Sequence, residues 1–286
     1  MKHPNDLARE EVSMRTLVEL TSAFEGIASM RIAQIKNQVL QSTKFFDELW
    51  AIYTQLRVDT MFNYGRQTEN SKLIDKTLFI IITAEGGFSG DIDQRLVLEM
   101  LKSFDKEKND ILVIGHHGAV QLAQRGVEYK KYFKLPTKDT DINVAPIIKE
   151  VQAYKSTVIY YQQYVSLMSQ DVKSIELSNA VKEVSESSEG SDDVISELNY
   201  IFEPDAYSVA SHLENTMTQI AVNQLILNSK LAQYASRFKA MTGAHQRADE
   251  NRTDIHLEFN RSKRSLKDER LKEVVNGIKK SKAGAK

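Results

Sequence analysis

Apolar and aromatic residues in the first part of the chain fall at Leu17, Leu20, Phe24 and Ile27. They resume at Ile32, Ile35, Val39, Phe46, Leu49, Tyr53 and Leu56, with spacings that alternate between three and four. This period predicts one long helix over about residues 7–63, carrying a heptad seam on one face. The two sets fall out of step near Ala28 to Arg31, which predicts a phase shift and a local change of supercoil. The last part of the chain repeats the pattern. Leu213, Met217, Ile220, Gln224, Leu227, Leu231, Tyr234, Phe238 and Met241 keep one four-three register, and the same register next meets His245, Ala248, Arg252, Ile255, Phe259, Ser262 and Leu266. A helix over about 75 residues would reach roughly 110 Å, far beyond the width of a small domain. Two such helices at opposite ends of one chain can pair only if the middle returns the chain, so the economical arrangement is an antiparallel coiled coil with a domain inserted on its side.

The middle alternates between strand and helix patterns. Residues 77–83 (TLFIIIT) form a continuous apolar run, as expected of a strand buried on both faces. A turn over 84–90 follows, then helical spacing through Ile92, Leu96, Met100 and Phe104, with Asp91 or Ser89 as candidate cap. Residues 111–114 (ILVI) read as a second strand, ending in a glycine-bounded turn and a helix through Val120 and Ala123. A short third strand over 129–135, a helix over 144–154 and a closing hairpin from 157–165 and 171–177 complete the pattern. This order predicts a Rossmann-like, three-layer α/β domain. The expected organisation is a coiled-coil helix over 1–66, the α/β domain over 73–180, a linker over 181–203 and a second coiled-coil helix over 204–286. Within the linker, residues 181–193 are rich in Ser, Glu and Asp and read as a mobile connection. The four prolines, at 4, 136, 146 and 204, leave both long helical segments uninterrupted.

Composition narrows the chemistry. The formal net charge of -1 gives no argument for nucleic acid. From Arg247 to the end there are 12 Lys or Arg against 7 Asp or Glu, which suggests an acidic partner surface there, in competition with an ordinary solvated helix face. The absence of cysteine excludes disulfides, thiolate metal sites and cysteine nucleophiles. No apolar run approaches the length of a membrane span, and residues 1–10 resemble neither a secretion signal nor a transit peptide, so a cytoplasmic protein is expected.

Candidate sites are few. The glycine-rich turn of residues 84–90 (AEGGFSG) sits where phosphates bind in α/β folds, but it matches neither the dinucleotide fingerprint nor a Walker loop and reads as a structural turn. His116 and His117 are neighbours, so one regular element cannot aim both at a single metal. Glu85 and His116 both follow strand ends, where a catalytic pair competes with a polar strand rim. No Gly-x-Ser-x-Gly elbow occurs to anchor a serine hydrolase. Tyr160, Tyr161 and Tyr164 lie on a strand and read as packing residues rather than a base-stacking platform. A self-associating coiled-coil scaffold and a nucleotide-using α/β enzyme remain open at this point. Neither a catalytic residue, a cofactor nor a metal is assigned.

Several motifs carry a resemblance. Residues 229–244 (SKLAQYASRFKAMTGA) are similar, without a gap, to the Ser-x-Ala-Ser-Glu-His-Ala-Ala-Arg-Met-x-Ala-Met-x-x-Ala run of the ATP synthase gamma family. Residues 257–263 (LEFNRSK) resemble its Leu-x-Tyr-Asn-Lys-x-Arg, and 273–277 (EVVNG) its Glu-Ile-Val-x-Gly. Residues 83–93 (TAEGGFSGDID) resemble its Thr-Ser-Asp-Arg-Gly-Leu-Cys-Gly-Gly-Leu-Asn, and 113–118 (VIGHHG) its Val-Ile-Gly-x-Lys-Gly, with a later Arg-Gly at 125–126. The order holds from about residue 12 to residue 277. Departures occur at the ends: the first helix lacks the family's lysines, and Lys267, Asp268 and Arg270 replace its Ile, Thr and Glu.

The resemblance implies a divergent bacterial-type central-stalk rotor of an F-type ATP synthase, without a catalytic site of its own. The coiled coil would turn inside a ring of alpha and beta subunits, and the α/β domain would meet epsilon and the membrane c-ring. Ion flow would thereby be coupled to ATP synthesis or hydrolysis at the cytoplasmic face of a bacterial inner membrane. By family position, Lys263 and Arg264 would engage an acidic loop of a beta subunit. Arg237, Met241, Asn260 and Arg270 would lie on the shaft facing the ring, and Glu85, Gly87 and Gly90 would form the structural turn of the foot domain.

Overall fold

The computed structural model describes residues 2–56, 73–136, 142–177, 203 and 205–283. Helix α1 spans Pro4–Leu56 and α5 spans Ala206–Ala283. Between them lie β1 (Ile74–Ile82), α2 (Ile92–Ser103), β2 (Asn109–Ile114), α3 (His116–Gln124), β3 (Lys131–Phe133), α4 (Ala145–Gln152), β4 (Tyr154–Tyr164) and β5 (Gln170–Glu176). Residues 181–202 of the expected linker, including its Ser-, Glu- and Asp-rich stretch over 181–193, and the last residues assigned to the first helix fall outside the described residues.

The chain divides into two compact units, residues 28–238 and residues 1–27 with 239–286. In the larger unit the five strands form one sheet of order β3-β2-β1-β4-β5, parallel except for β5, which returns antiparallel to β4 as a hairpin. Residues alternate across the sheet, as the strand period of two requires. Leu78, Ile80 and Ile82 of β1, with Leu112 and Ile114 of β2, meet Ile147, Ile148 and Val151 of α4 and Val222, Leu225 and Ile226 of α5. Phe79, Ile81, Ile111 and Val113 face the other way, onto Leu96, Val97 and Met100 of α2 and Leu122 of α3. The C-terminal helix therefore supplies part of one outer layer. This requirement explains its burial on nearly all sides between Met217 and Ser236, where small residues such as Ala221, Ser229, Ala232 and Ala235 permit close approach. The three tyrosines of β4 divide accordingly. Tyr160 packs against Phe79 with ring centroids 5.2 Å apart, Tyr161 joins the opposite core, and Tyr164 lies beneath the ammonium of Lys36 at 5.1 Å. Below the sheet, Tyr154 donates to Asp110 at 2.7 Å and accepts from Lys130 at 2.6 Å. Burial and the hydrogen bond to Asp110 push the Tyr154 phenol well above its usual range.

In the same unit, the second half of α1 pairs antiparallel with the first half of α5. Ile32 and Ile35 pack on Leu227, Leu231 and Ala235, while Phe46 packs on Met217 and Ala221. Gln224 donates to Thr43 at 2.6 Å, and Tyr53 donates to Glu214 at 2.8 Å. In the smaller unit, Thr242 donates to Glu25 at 2.9 Å, His256 donates to Glu11 at 2.8 Å, and Ser262 donates to the carbonyl of Lys2 at 3.0 Å. Here too one segment advances as the other retreats.

The seam of α1 differs from its sequence reading. Leu17, Leu20 and Ile27 are 42%, 50% and 46% exposed, whereas Leu7, Thr21 and Ala28 are buried. Buried or half-buried positions run through Leu7, Glu11, Met14, Val18, Thr21, Glu25, Ala28, Ile32 and Ile35 in one unbroken four-three register, so there is no phase shift at 28–31. Small or polar residues hold seam slots because the facing residues are themselves polar: His245 donates to the carbonyl of Val18 at 3.2 Å and lies 3.5 Å from the hydroxyl of Thr21. In α5 the expected register holds to Leu266, and from Lys267 to Lys280 every residue is exposed.

Candidate functional site

In open α/β sheets the ligand crevice lies beyond the carboxyl ends of the strands, where the strand order reverses. Here that point lies between β1 and β4, and the chain's own side chains fill it. Strand β1 is followed by Thr83, whose hydroxyl donates to the carbonyls of Ile114 and Gly115 and accepts from Gly118 N at 2.9 Å. The approach is tight. A Cβ at Gly115, where φ is +96°, would stand 2.0 Å from the Thr83 carbonyl oxygen, and one at Gly118 would stand 2.7 Å from its hydroxyl. Glycine on either side of His116 and His117 is thus required by contact with Thr83, and it places the start of α3 beside the turn after β1.

Asp93, 2% exposed in the first turn of α2, is the hub of the site. Its Oδ1 accepts from Ala84 N at 3.2 Å and from Gln162 Nε2 at 2.8 Å, and its Oδ2 from Ser89 Oγ at 3.3 Å and His117 Nδ1 at 3.0 Å. Four donors satisfy a buried carboxylate that would otherwise be costly to desolvate. Gln162 Oε1 then accepts from Ser229 and from Gln233 Nε2, both on α5. Two further bonds join the turn directly to the helix. Ser236 Oγ donates to the carbonyl of Ser89 at 2.7 Å, and Arg237 donates through Nε to Gly87 O and through Nη2 to Gly86 O, each at 3.0 Å. The Arg237 guanidinium lies 5.2 Å above the ring of Tyr234. The turn holds left-handed backbone at Phe88 and Gly90, with φ +67° at each. The hydrogen bond from His117 to Asp93 raises the imidazole above its ordinary range, opposed by burial and by Arg237.

Beside this joint, at the ends of β1, β2 and β3, opens a cleft of about 710 Å³ lined by Glu85, His116, Tyr132, Lys134, Lys230 and Arg237. Glu85 and His116 do share it, but the Glu85 carboxylate accepts from Leu135 N at 2.7 Å and Tyr132 OH at 3.2 Å, and so straps the end of β3 to the turn. Burial and this carboxylate raise the Tyr132 phenol. Among the described residues no group of His, Asp and Glu could hold a metal ion, and no helix is long and apolar enough to cross a membrane.

The residues singled out from sequence are placed in two groups. Glu85, Gly87, Gly90 and Arg237 come together in the joint. Met241 is buried, while Asn260, Lys263, Arg264 and Arg270 follow on the later part of α5, with Lys263, Arg264 and Arg270 exposed and Asn260 half-buried. The Lys263 ammonium lies 5.6 Å from the ring of Phe259. Neither Asp91 nor Ser89 caps α2 through its side chain: Asp91 pairs instead with Arg95 at 3.5 Å, and Ser89 donates to Asp93. The sequence reading missed Asp93, Gln162, Ser229, Gln233 and Ser236. A signal for them exists, since Ser229, Gln233 and Ser236 recur at helical spacing on a helix otherwise read for its apolar seam, and Gln162 interrupts a run of strand aromatics.

Comparison with known proteins gives one answer. A family model described as ATP synthase matches residues 5–279. Proteins named ATP synthase gamma chain from Staphylococcus aureus, strains bovine RF122 / ET3-1 and JH9, are each 23% identical over 280 residues, spanning 93% of this chain and 94% of the relative. Among solved structures, a chain from the Euglena gracilis mitochondrial ATP synthase (OSCP/F1/c-ring, rotational state 3) aligns with a TM-score of 0.58 at 15% identity, covering 96% of both chains. A chain from the central stalk and c-ring of the Tetrahymena thermophila mitochondrial ATP synthase aligns with a TM-score of 0.57 at 17% identity, covering 79% of this chain and 99% of the other. These structures establish the likeness of fold.

Proposed function

The chain belongs to the ATP synthase gamma family, and from that premise we propose how its surfaces are used and where it works. It is a central-stalk rotor subunit of an F-type ATP synthase, a non-catalytic part of the F1 sector of a peripheral membrane complex. The observation that carries this reading is the extent of the match, which includes both long helices and the domain between them. Its partners are the alpha and beta subunits of the catalytic ring, the epsilon subunit and the membrane c-ring. We infer that it works at the cytoplasmic face of a bacterial inner membrane, a reading supported by its likeness to the Staphylococcus aureus gamma chains.

A rotor acts on a symmetric ring by contacting its subunits unequally, and each contact shifts a catalytic site only through its different interaction with the open and closed states. Lys263 and Arg264, exposed one after the other on α5, offer charge-assisted hydrogen bonds to carboxylates of a beta-subunit loop, with Asn260 and Arg270 flanking them. Met241 shapes the shaft from within its own packing. Torque arriving at the α/β domain passes to α5 through the apolar packing of Val222, Leu225 and Ile226 on the sheet and through the joint, where Arg237, Ser236, Ser229 and Gln233 of α5 grip the turn of Glu85, Gly87 and Gly90 and the adjoining β4.

Two measurements test this. The tagged full chain co-expressed with alpha and beta subunits should co-purify with both; recovery of a homo-oligomer alone would overturn the assignment. In the reconstituted complex, Lys263→Glu with Arg264→Glu should lower rotation-coupled ATPase while leaving the melting temperature of the chain unchanged. Unaltered coupling would remove these two residues from the contact.

A further inference from the structure

The buried polar hub of the joint contains a group that changes charge near neutral pH, and its geometry makes the grip of the domain on α5 depend on that charge. Asp93 faces four donors, three of which never titrate: Ala84 N, Ser89 Oγ and Gln162 Nε2. The fourth, His117 Nδ1, sits 3.0 Å from Oδ2 on a ring that remains 30% open to solvent, so protons reach it without unfolding. Asp93 has no direct bond to α5. It holds the helix through Gln162, which reaches Ser229 and Gln233, and through Ser89, whose carbonyl receives Ser236. A change at His117 therefore passes along two short hydrogen-bonded paths to one helix face.

We propose that Asp93 and His117 form a proton-controlled latch: protonated His117 locks the turn after β1 onto α5, and loss of that proton loosens the lock. Every charged neighbour has a defined effect. Asp93, from α2, and Glu85, from the turn, favour the imidazolium, and Arg237, from α5, opposes it. His116, Lys134 and Lys230 line the adjoining cleft. The sum favours the protonated form, with the folded value above the ordinary 6.5. A raised histidine contributes stability that is complete below its unfolded value and is lost as pH rises through the folded one, so the latch is closed on the acid side of this window and loosened on the alkaline side. Neutral His117 still donates through Nδ1, but without the charge that answers a buried carboxylate, and uncharged hydrogen bonds are the weaker kind. The latch thus slackens rather than breaks. The inference concerns the chain alone and does not rest on its assembly into a rotor.

Hydrogen–deuterium exchange of the full-length chain, corrected for the intrinsic pH dependence of amide exchange, tests the latch. Between a pH of about 6 and a pH of about 8.5, spanning the histidine window, residues 84–93 and 229–237 should lose protection by about threefold or more, while the β1 and β2 core amides keep theirs. Asp93→Asn keeps one acceptor oxygen at the hub, replaces the other with an amide nitrogen and removes the charge, and should abolish the response. His117→Gln keeps a donor that does not titrate, at a half-exposed position, and should also abolish it; it serves as the decisive variant if Asp93→Asn fails to fold. The His117 imidazole, followed by NMR, should titrate above the ordinary histidine value in the wild type and fall back towards it in Asp93→Asn. Wild-type protection that ignores pH, or a response that survives in His117→Gln, would overturn the proposal.

Discussion

Arg237 offers the sharpest test of the joint, because the same residue was expected from sequence to face the catalytic ring and is found gripping the turn of its own domain. Its two donors reach Gly86 O and Gly87 O at 3.0 Å, and its guanidinium lies over Tyr234. Hydrogen bonds from charged donors contribute about 1.5–3 kcal/mol each in buried settings, but Arg237 is only half-buried and both carbonyls can turn to water once it is removed, so roughly 0.5–1 kcal/mol each is appropriate. The stacking on Tyr234 adds about 0.5 kcal/mol. Arg237→Ala should therefore weaken docking of the turn by about 2 kcal/mol, roughly a thirtyfold shift towards the undocked state. Because the change is local, amide exchange should accelerate by that factor over residues 84–90, with a much smaller change in global stability. Arg237→Lys should recover little, since an ammonium cannot serve two carbonyls as a planar fork does. Wild-type protection of this turn in Arg237→Ala would refute the clamp and return Arg237 to the role of a surface cation. In the assembled complex, the same variant should lower coupling of ATP hydrolysis to rotation even though the shaft surface at Lys263 and Arg264 is intact.

Further outcomes follow from packing. Gly115→Ala combines a Cβ placed 2.0 Å from the Thr83 carbonyl oxygen with φ +96°, a region nearly restricted to glycine, and should destabilise the larger unit by about 3 kcal/mol or more in urea unfolding; a loss below about 1 kcal/mol would contradict the geometry. The seam of α1 is tested by contrast. Leu7→Ala should cost about 2–3 kcal/mol in the stability of the smaller unit, and Leu20→Ala less than about 0.5 kcal/mol, because the first is buried and the second is half exposed. The reverse order in thermal unfolding would restore the seam read from sequence.

The proton-controlled latch and the clamp together describe a joint whose strength is set locally. Arg237 binds two backbone carbonyls directly, outside the hub, while the Asp93 hub and the Ser89–Ser236 path that runs from it respond to His117. Alkaline conditions would then slacken part of the grip and leave the remainder in place. The cleft lined by Glu85 and His116 adjoins this joint, but Glu85 is held by Leu135 and Tyr132, a strap rather than a free carboxylate aimed at the cleft.

Much of this architecture was legible from residue order. Two heptad-patterned segments free of internal proline, an apolar doubly buried strand and a glycine-bounded turn are local properties, since helix and strand periods act within a few residues. Motifs spread from the first strand to the final helix likewise carried the family. Other features needed the tertiary fold. Leu17, Leu20 and Ile27 satisfy a helical period as well as Thr21 and Ala28 do, and only the facing residues of α5 decide which set is buried; here a histidine opposite Thr21 selected the small, polar slots. The joint was hidden for the same reason. Asp93, Gln162 and Ser229 lie 69 and 67 residues apart in succession, and each alone is an ordinary polar residue. They become a hub only when the sheet brings β4 beside β1 and α5 covers the strand ends, because a buried carboxylate persists only where donors from several distant segments converge on it.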